Sequence, residues 1–193
     1  MIAAALQTFL ASFPSLTEAE VAAIGEALCV REYAKGALLL QEDEVSKACY
    51  FVLAGCVRQY YITDGIEKTT AFYTEGEAVV AFSSNIQQAP AGYYLSCVEA
   101  ATLIVGATGV EQEMYEQFPK LETITRNMLE QDMGHIQDEL NTFRMSSPEE
   151  RYRHLLQTRP ELLQRVPQHQ LASYIGVTPE SFSRIRRRIM RQQ

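Results

Sequence analysis

The chemistry-bearing residues of this chain gather near its C-terminal end, in "HQLASYIGVTPESFSRIRRR", His169 to Arg188. On a helix opening after Thr178, the side chains of Pro179, Glu180, Ser183, Arg184 and Arg187 share one face. A guanidinium fork can bond a guanine edge bidentately, and a carboxylate can accept from a cytosine amino group. Glu180 and Arg184 therefore have the chemistry of base readers. Arg186, Arg188 and Arg191 are placed for phosphate oxygens, which supply affinity without sequence information. The candidate contact set is Thr178, Pro179, Glu180, Ser181, Ser183, Arg184, Arg187 and Arg188.

That face needs a scaffold. With Gln168 as the first position of a helix-turn-helix, Leu171, Ile175, Val177, Phe182 and Ile185 fall inward and pin two helices together. Ala172 sits at their closest crossing, where only a small side chain fits. Gly176 occupies the turn, which requires left-handed backbone. Thr178 caps the second helix and Pro179 takes its first position. The plainer alternative is an amphipathic hairpin with a solvated basic face.

Charge is divided along the chain. Residues 1–143 hold 7 Lys+Arg against 20 Asp+Glu, a net of −13, whereas residues 144–193 hold 10 against 4, a net of +6. The overall −7 thus hides a basic C-terminal segment whose ten cations are all Arg. Such asymmetry marks an interaction surface, and Arg suits planar phosphate and base recognition better than Lys.

Upstream, Phe9, Phe13, Leu16, Val21, Ile24 and Leu28 recur at helical spacing, interrupted at Pro14. Thr17 with Glu20 fits a capping box. From Cys29 to Val105 the pattern changes to seven short β-rich runs punctuated by Gly36, Gly55, Asp64-Gly65, Gly76 and Gly92. This predicts an antiparallel sandwich or barrel, with a hairpin at Asp64-Gly65. Residues 110–143 return to helix, and Leu129, Met133, Ile136, Leu140 and Phe143 form a heptad-like seam. The seam fits either a helix lying on its own β-domain or a dimerisation helix. "RMSSPEER" opens the last domain, with Ser147 as cap and Pro148 at the first helical position, and a helix over Pro148–Leu156 is expected.

"VPQHQLASYIGVTPESFSRIRRRI" resembles the helix-turn-helix of the Crp/Fnr family of bacterial transcription regulators. "YFVLAGCVRQYYITDGIEKTTAFYTEGEAV", residues 50–79, is similar to that family's cyclic-nucleotide-binding β-roll, with Gly55, Gly65 and Gly76 at its turn positions. The resemblance covers nearly the whole chain. It implies an α+β fold: an N-terminal antiparallel β-roll sensor (1–110, a jelly-roll-like double-stranded β-helix with flanking helices), a dimerisation helix (111–143) and a helix-turn-helix DNA-binding domain (144–193). The wing hairpin of many members is expected to be short or absent. The implied activity is that of a homodimer binding double-stranded DNA at an inverted repeat, with RNA polymerase as a further partner. Pro179 stands where better-known members often carry Arg, so their target sequence does not transfer.

The effector site departs from the family pattern. Gly76-Glu77-Ala78-Val79 matches the first half of the phosphate-binding motif, which makes Gly76 and Glu77 candidate pocket residues. The second half falls near Ala91-Gly92-Tyr93-Tyr94 and lacks the motif's Arg; no Lys or Arg occurs between Lys68 and Lys120. A buried phosphodiester without a cation costs several kcal/mol. Cyclic AMP is therefore not the expected effector, no cofactor is predicted, and the effector is unknown. His135, His154 and His169 lie outside the β-region, which argues against haem, a cupin-type metal site or a β-roll enzyme. The cysteines Cys29, Cys49, Cys56 and Cys97 are scattered like buried core thiols rather than paired or clustered. With no charged leader before Arg31 and no long apolar run, a cytoplasmic protein without membrane contact is expected. The rival to a DNA regulator is a small-molecule-sensing module that acts through protein partners.

Overall fold

The structure, a computed structural model, describes residues 2–81, 84, 87–107 and 111–191. Helices α1 (Ile2–Ala11) and α2 (Glu18–Ala27) form an N-terminal pair. The capping box is present: Thr17 Oγ accepts from the Glu20 N–H at 3.3 Å, and the Glu20 carboxylate accepts from the Thr17 N–H at 2.8 Å. Leu6, Leu10 and Ile24 bury against Ile104, and Phe9 lies 4.4 Å from Phe51, ring to ring.

Eight strands follow: β1 (Val30–Tyr33), β2 (Leu38–Leu40), β3 (Ala48–Ala54), β4 (Val57–Thr63), β5 (Ile66–Tyr73), β6 (Ala78–Val79), β7 (Tyr94–Cys97) and β8 (Ala101–Ala107). They pair antiparallel in two four-stranded sheets, ordered β1-β8-β3-β6 and β2-β7-β4-β5. Val52, Val57, Val79, Leu95, Cys97 and Leu103 fill the space between them. The seven expected runs are all strands, and the eighth, β6, is too short to leave a periodic signal. At the β4–β5 turn Asp64 and Gly65 have φ of 53° and 73°, the paired positive values that a two-residue hairpin matched to strand twist requires. Cys56 and Cys97 are buried as expected, and burial pushes their thiols up to about 12 and about 11. Cys29 is exposed instead, because it precedes β1 at the rim of the roll.

The helix expected over 110–143 is two helices, α3 (Glu111–Gln117) and α4 (Pro119–Met145). Pro119 explains the break: it lacks the N–H that a continuous helix would use, and it suits a first position. The first turns of α4 bury Ile124 and pack Leu121 on the N-terminal cluster. Its later apolar seam is open, with Met133 72%, Ile136 60%, Leu140 46% and Phe143 44% exposed. The reading of a helix lying on its own N-terminal domain thus holds for the first turns.

The last four helices are α5 (Pro148–Thr158), α6 (Leu162–Arg165), α7 (Gln168–Tyr174) and α8 (Pro179–Met190). Helix α5 runs two residues past the expected Leu156 before Arg159 caps it. Short α6 had no periodic signal. Among the described residues no strand follows β8, so the segment contains no wing hairpin.

Candidate nucleic-acid interface

Helices α7 and α8 assemble as the sequence pattern requires. Leu171, Ala172, Ile175, Phe182, Ile185 and Ile189 are buried, and Val177 packs against them half-exposed. Tyr152 of α5 meets Phe182 edge to face at 5.3 Å. Burying a Phe of this kind contributes about 1.5–3 kcal/mol. Gly176 has φ of 76°, and a Cβ there would meet Arg151 Nη1 at 3.0 Å and the Phe143 ring at 3.3 Å. The backbone disfavours any other residue, and a side chain there would also have to push Arg151 and Phe143 aside by a few tenths of an ångström. Thr178 has extended backbone, and its Oγ accepts from the Ser181 N–H at 3.3 Å, which closes the N-cap of α8. A cap of this kind is worth about 1 kcal/mol.

The opposite face of α8 is open. Thr178, Pro179, Glu180, Arg184, Arg187 and Arg188 are exposed, and Ser181 and Ser183 are half-exposed. Ser183 donates to the Pro179 carbonyl at 3.0 Å, which leaves its oxygen lone pairs outward. Arg184 Nη2 donates to Ser181 Oγ at 3.0 Å. Glu180 is held below the ordinary carboxylate value by its own N–H, the Thr178 hydroxyl and neighbouring Arg184. It is thus an ionised acceptor near neutral pH, beside a guanidinium donor. Arg188 is not free: it donates to Glu149 in the first turn of α5, which also binds Arg153 at 3.0 Å. The structure therefore gathers all eight predicted residues at one helix, with Arg188 alone already bonded to a carboxylate of its own domain.

The predicted effector residues lie elsewhere. Glu77 Oε2 accepts from the Thr74 N–H, from Thr74 Oγ at 3.0 Å and from Arg159 Nη2 at 2.7 Å. Gly76, with φ of 91°, turns the chain into it. The roll does contain a buried guanidinium, Arg58, at 3% exposure. It is upstream of the cation-free stretch, and alternation along β4 sets it on the face opposite Val57 and the roll core. There it is held by Glu67, by Thr69 Oγ at 3.0 Å and by the Tyr60 ring at 4.1 Å. On the core side, Tyr73 donates to Gln59 Oε1 at 3.2 Å and Tyr61 meets Tyr93 at 5.6 Å. Burial, with Tyr93, Glu77 and Glu139 nearby, pushes the Tyr73 phenol up to about 12. This is a neutral, aromatic and acid-flanked surface.

Sequence reasoning missed how the two domains touch. Phe72 of β5, Cys56 and Val98 belong to the same core cluster as the helix-turn-helix, and Phe72 meets Tyr174 at 5.2 Å. Arg159 donates to Phe72 O, Thr74 Oγ and Glu77, at 2.9, 2.9 and 2.7 Å. Arg165 grips Glu75 bidentately at 2.7 and 2.8 Å and also reaches Glu99 at 2.6 Å. Strand β5 is a sheet edge, and Ser173 of α7 caps it. The Ser173 hydroxyl accepts from the Thr69 N–H at 2.9 Å and donates to the Glu67 carbonyl at 3.1 Å. One hydroxyl does what a residue of a neighbouring strand would do.

Comparison with known proteins agrees with this architecture. Residues 30–112 match the family model described as the cyclic nucleotide-binding domain. FixK2 from Bradyrhizobium japonicum superposes with a TM-score of 0.67 at 17% identity, over 86% of this chain and 85% of that one. The c-di-GMP-responsive global regulator CLP of Xanthomonas campestris gives 0.67 at 16% identity, over 98% and 92%. The catabolite activator protein of Thermus thermophilus gives 0.54 at 20% identity, over 93% and 86%. A search of curated proteins with the sequence finds no match. The chain thus has the fold of these Crp/Fnr-type structures, and its residues 30–112 match the cyclic nucleotide-binding domain.

Proposed function

We propose that this chain is a DNA-binding transcription regulator that acts as a homodimer on an inverted repeat. The observation that carries this reading is the open face of α8. Glu180, Ser183, Arg184 and Arg187 are presented outward on a capped helix whose other face is buried. A helix of this form fits the major groove with its first turns nearest the bases. The open seam of α4 supports a second copy as its occupant, since Met133, Ile136 and Leu140 there otherwise face water. Contact with RNA polymerase belongs to the same reading. The β-roll serves as the sensor, with an effector other than cyclic AMP: the buried Arg58 faces away from the roll core, and Glu77 already binds Arg159.

The test is binding to random duplex DNA at rising salt. Each phosphate contact contributes about −0.9 to the log–log slope, so a slope of about −4 or steeper is expected for a dimer using both sets of arginines. Absence of binding at low salt removes the reading and leaves the rival, a sensor acting through protein partners.

A further inference from the structure

Only Ser146 and Ser147 separate α4 from α5, and both are extended, with φ/ψ of −107°/145° and −67°/160°. A domain hung on two residues swings unless something else holds it. Here three separate polar attachments hold it, beside the apolar contact of Phe72, Cys56 and Val98. Beside the joint, Arg151 donates to Ser146 O at 3.1 Å and to Ile175 O at 2.8 Å, and lies 3.9 Å over the Phe143 ring. At the sheet edge, Ser173 bonds the Thr69 N–H and the Glu67 carbonyl of β5. At the roll, Arg159 and Arg165 grip the turn between β5 and β6 and, through Arg165, also Glu99. Attachments at three separate places, each with directional hydrogen bonds, hold its orientation against the rest of the chain.

We infer that Arg159, Arg165 and Ser173 are positioning residues for DNA recognition: they fix the direction of α8 relative to the β-roll, and so set which spacing between half-sites a dimer accepts. The inference rests on the reading of the chain as a dimeric DNA binder. Adding one base pair to a spacer moves the second half-site by about 3.4 Å and turns it by about 34°, from the ~10.5 base pairs of each DNA turn. A domain held in direction resists that turn, whereas one that has lost the directional grips of Arg165 and Ser173 follows it more readily. Bidentate Arg–carboxylate pairs suit this task because they fix direction as well as distance. The three residues touch no base. Their effect is on geometry between half-sites, not on the sequence of each.

The experiment is selection from a random-sequence duplex pool by the full chain, followed by sequencing of half-sites and spacers. The wild type should enrich one half-site motif at one spacer length. The Arg165→Gln/Ser173→Ala double variant should enrich the same motif over several neighbouring spacers, with discrimination between the best spacer and one a base pair longer reduced roughly tenfold. Arg165→Lys, which keeps the charge but loses the fork, should fall between the two. Retention of the half-site motif shows that the helix-turn-helix of the variant is folded. Loss of the motif would overturn the inference, because the three residues would then be needed for the domain itself. An unchanged spacer profile would overturn it too, as would tighter binding at every spacer, the mark of an inhibitory clamp. No enrichment by the wild type would remove the underlying DNA reading, and the inference with it.

Discussion

Two arginines of α8 illustrate how different partners assign different roles. Arg184 is exposed near the helix start, with Glu180 one turn before it and Ser181 Oγ holding one of its nitrogens at 3.0 Å. Arg184→Ala should cost about 1–3 kcal/mol at the preferred sequence and relax preference at one base pair. Competition among single-base operator variants checks this; full discrimination by the variant would refute the assignment. Arg188 sits a turn later and is bonded to Glu149. To reach a phosphate it exchanges one anion for another, so its contribution is sequence-independent. Arg188→Ala should weaken all duplexes alike and flatten the salt slope by about 1. Equal salt slopes for variant and wild type would show that Arg188 remains with Glu149 in the complex. The residues that build the motif were legible because their constraints are local. Gly176 has a φ that other side chains avoid, and Thr178 bonds a group three residues away. Arg159 and Arg165 were legible only as cations, since their partners lie 82 and 90 residues back. No local pattern records such a pairing.

The helix α4 shows what periodicity decides and what it leaves open. Its stripe from Leu129 to Phe143 gave the face but not the occupant. In the structure the first turns instead pack Leu121 against the cluster of α1 and α2, from another side of the helix, while Ile136 and Leu140 are left at 60% and 46% exposure. Pro119 breaks the single helix expected over 110–143, and the stripe, which lies downstream of it, carried no sign of that break. A second copy packing its α4 along this seam would cover these side chains by knobs-into-holes contact. Ile136→Asp with Leu140→Asp should therefore yield a folded monomer, because neither side chain supports the core of its own chain. Sedimentation should show half the mass, and affinity for an inverted repeat should fall to that for a single half-site. A double variant that stays dimeric would place the interface elsewhere.

For the molecule as a whole, the acidic and basic halves are one folded unit rather than two beads. The −13 segment offers Glu75, Glu77 and Glu99, and the +6 segment meets them with Arg159 and Arg165. Phe72, Cys56 and Val98 continue the same contact as apolar core. At pH 7 the wild type should therefore melt in a single calorimetric transition. Arg159→Gln with Arg165→Gln should split it in two, with the helix-turn-helix melting first because it loses its support on β5. Acid should act in the same direction. Burial raises the Glu75 carboxyl, but Arg165 and the backbone N–H groups of Glu75 and Gly55 outweigh it, so its folded value lies below the ordinary 4.5. A lowered carboxylate gives its full contribution above the ordinary value and loses it as pH falls through the folded one. The wild type should thus keep one transition down to about pH 5 and begin to split below about 4.5, whereas the double variant is split throughout. If the variant melts as one unit at pH 7, the shared apolar contact alone holds the halves together, and the arginine grips contribute direction without cohesion.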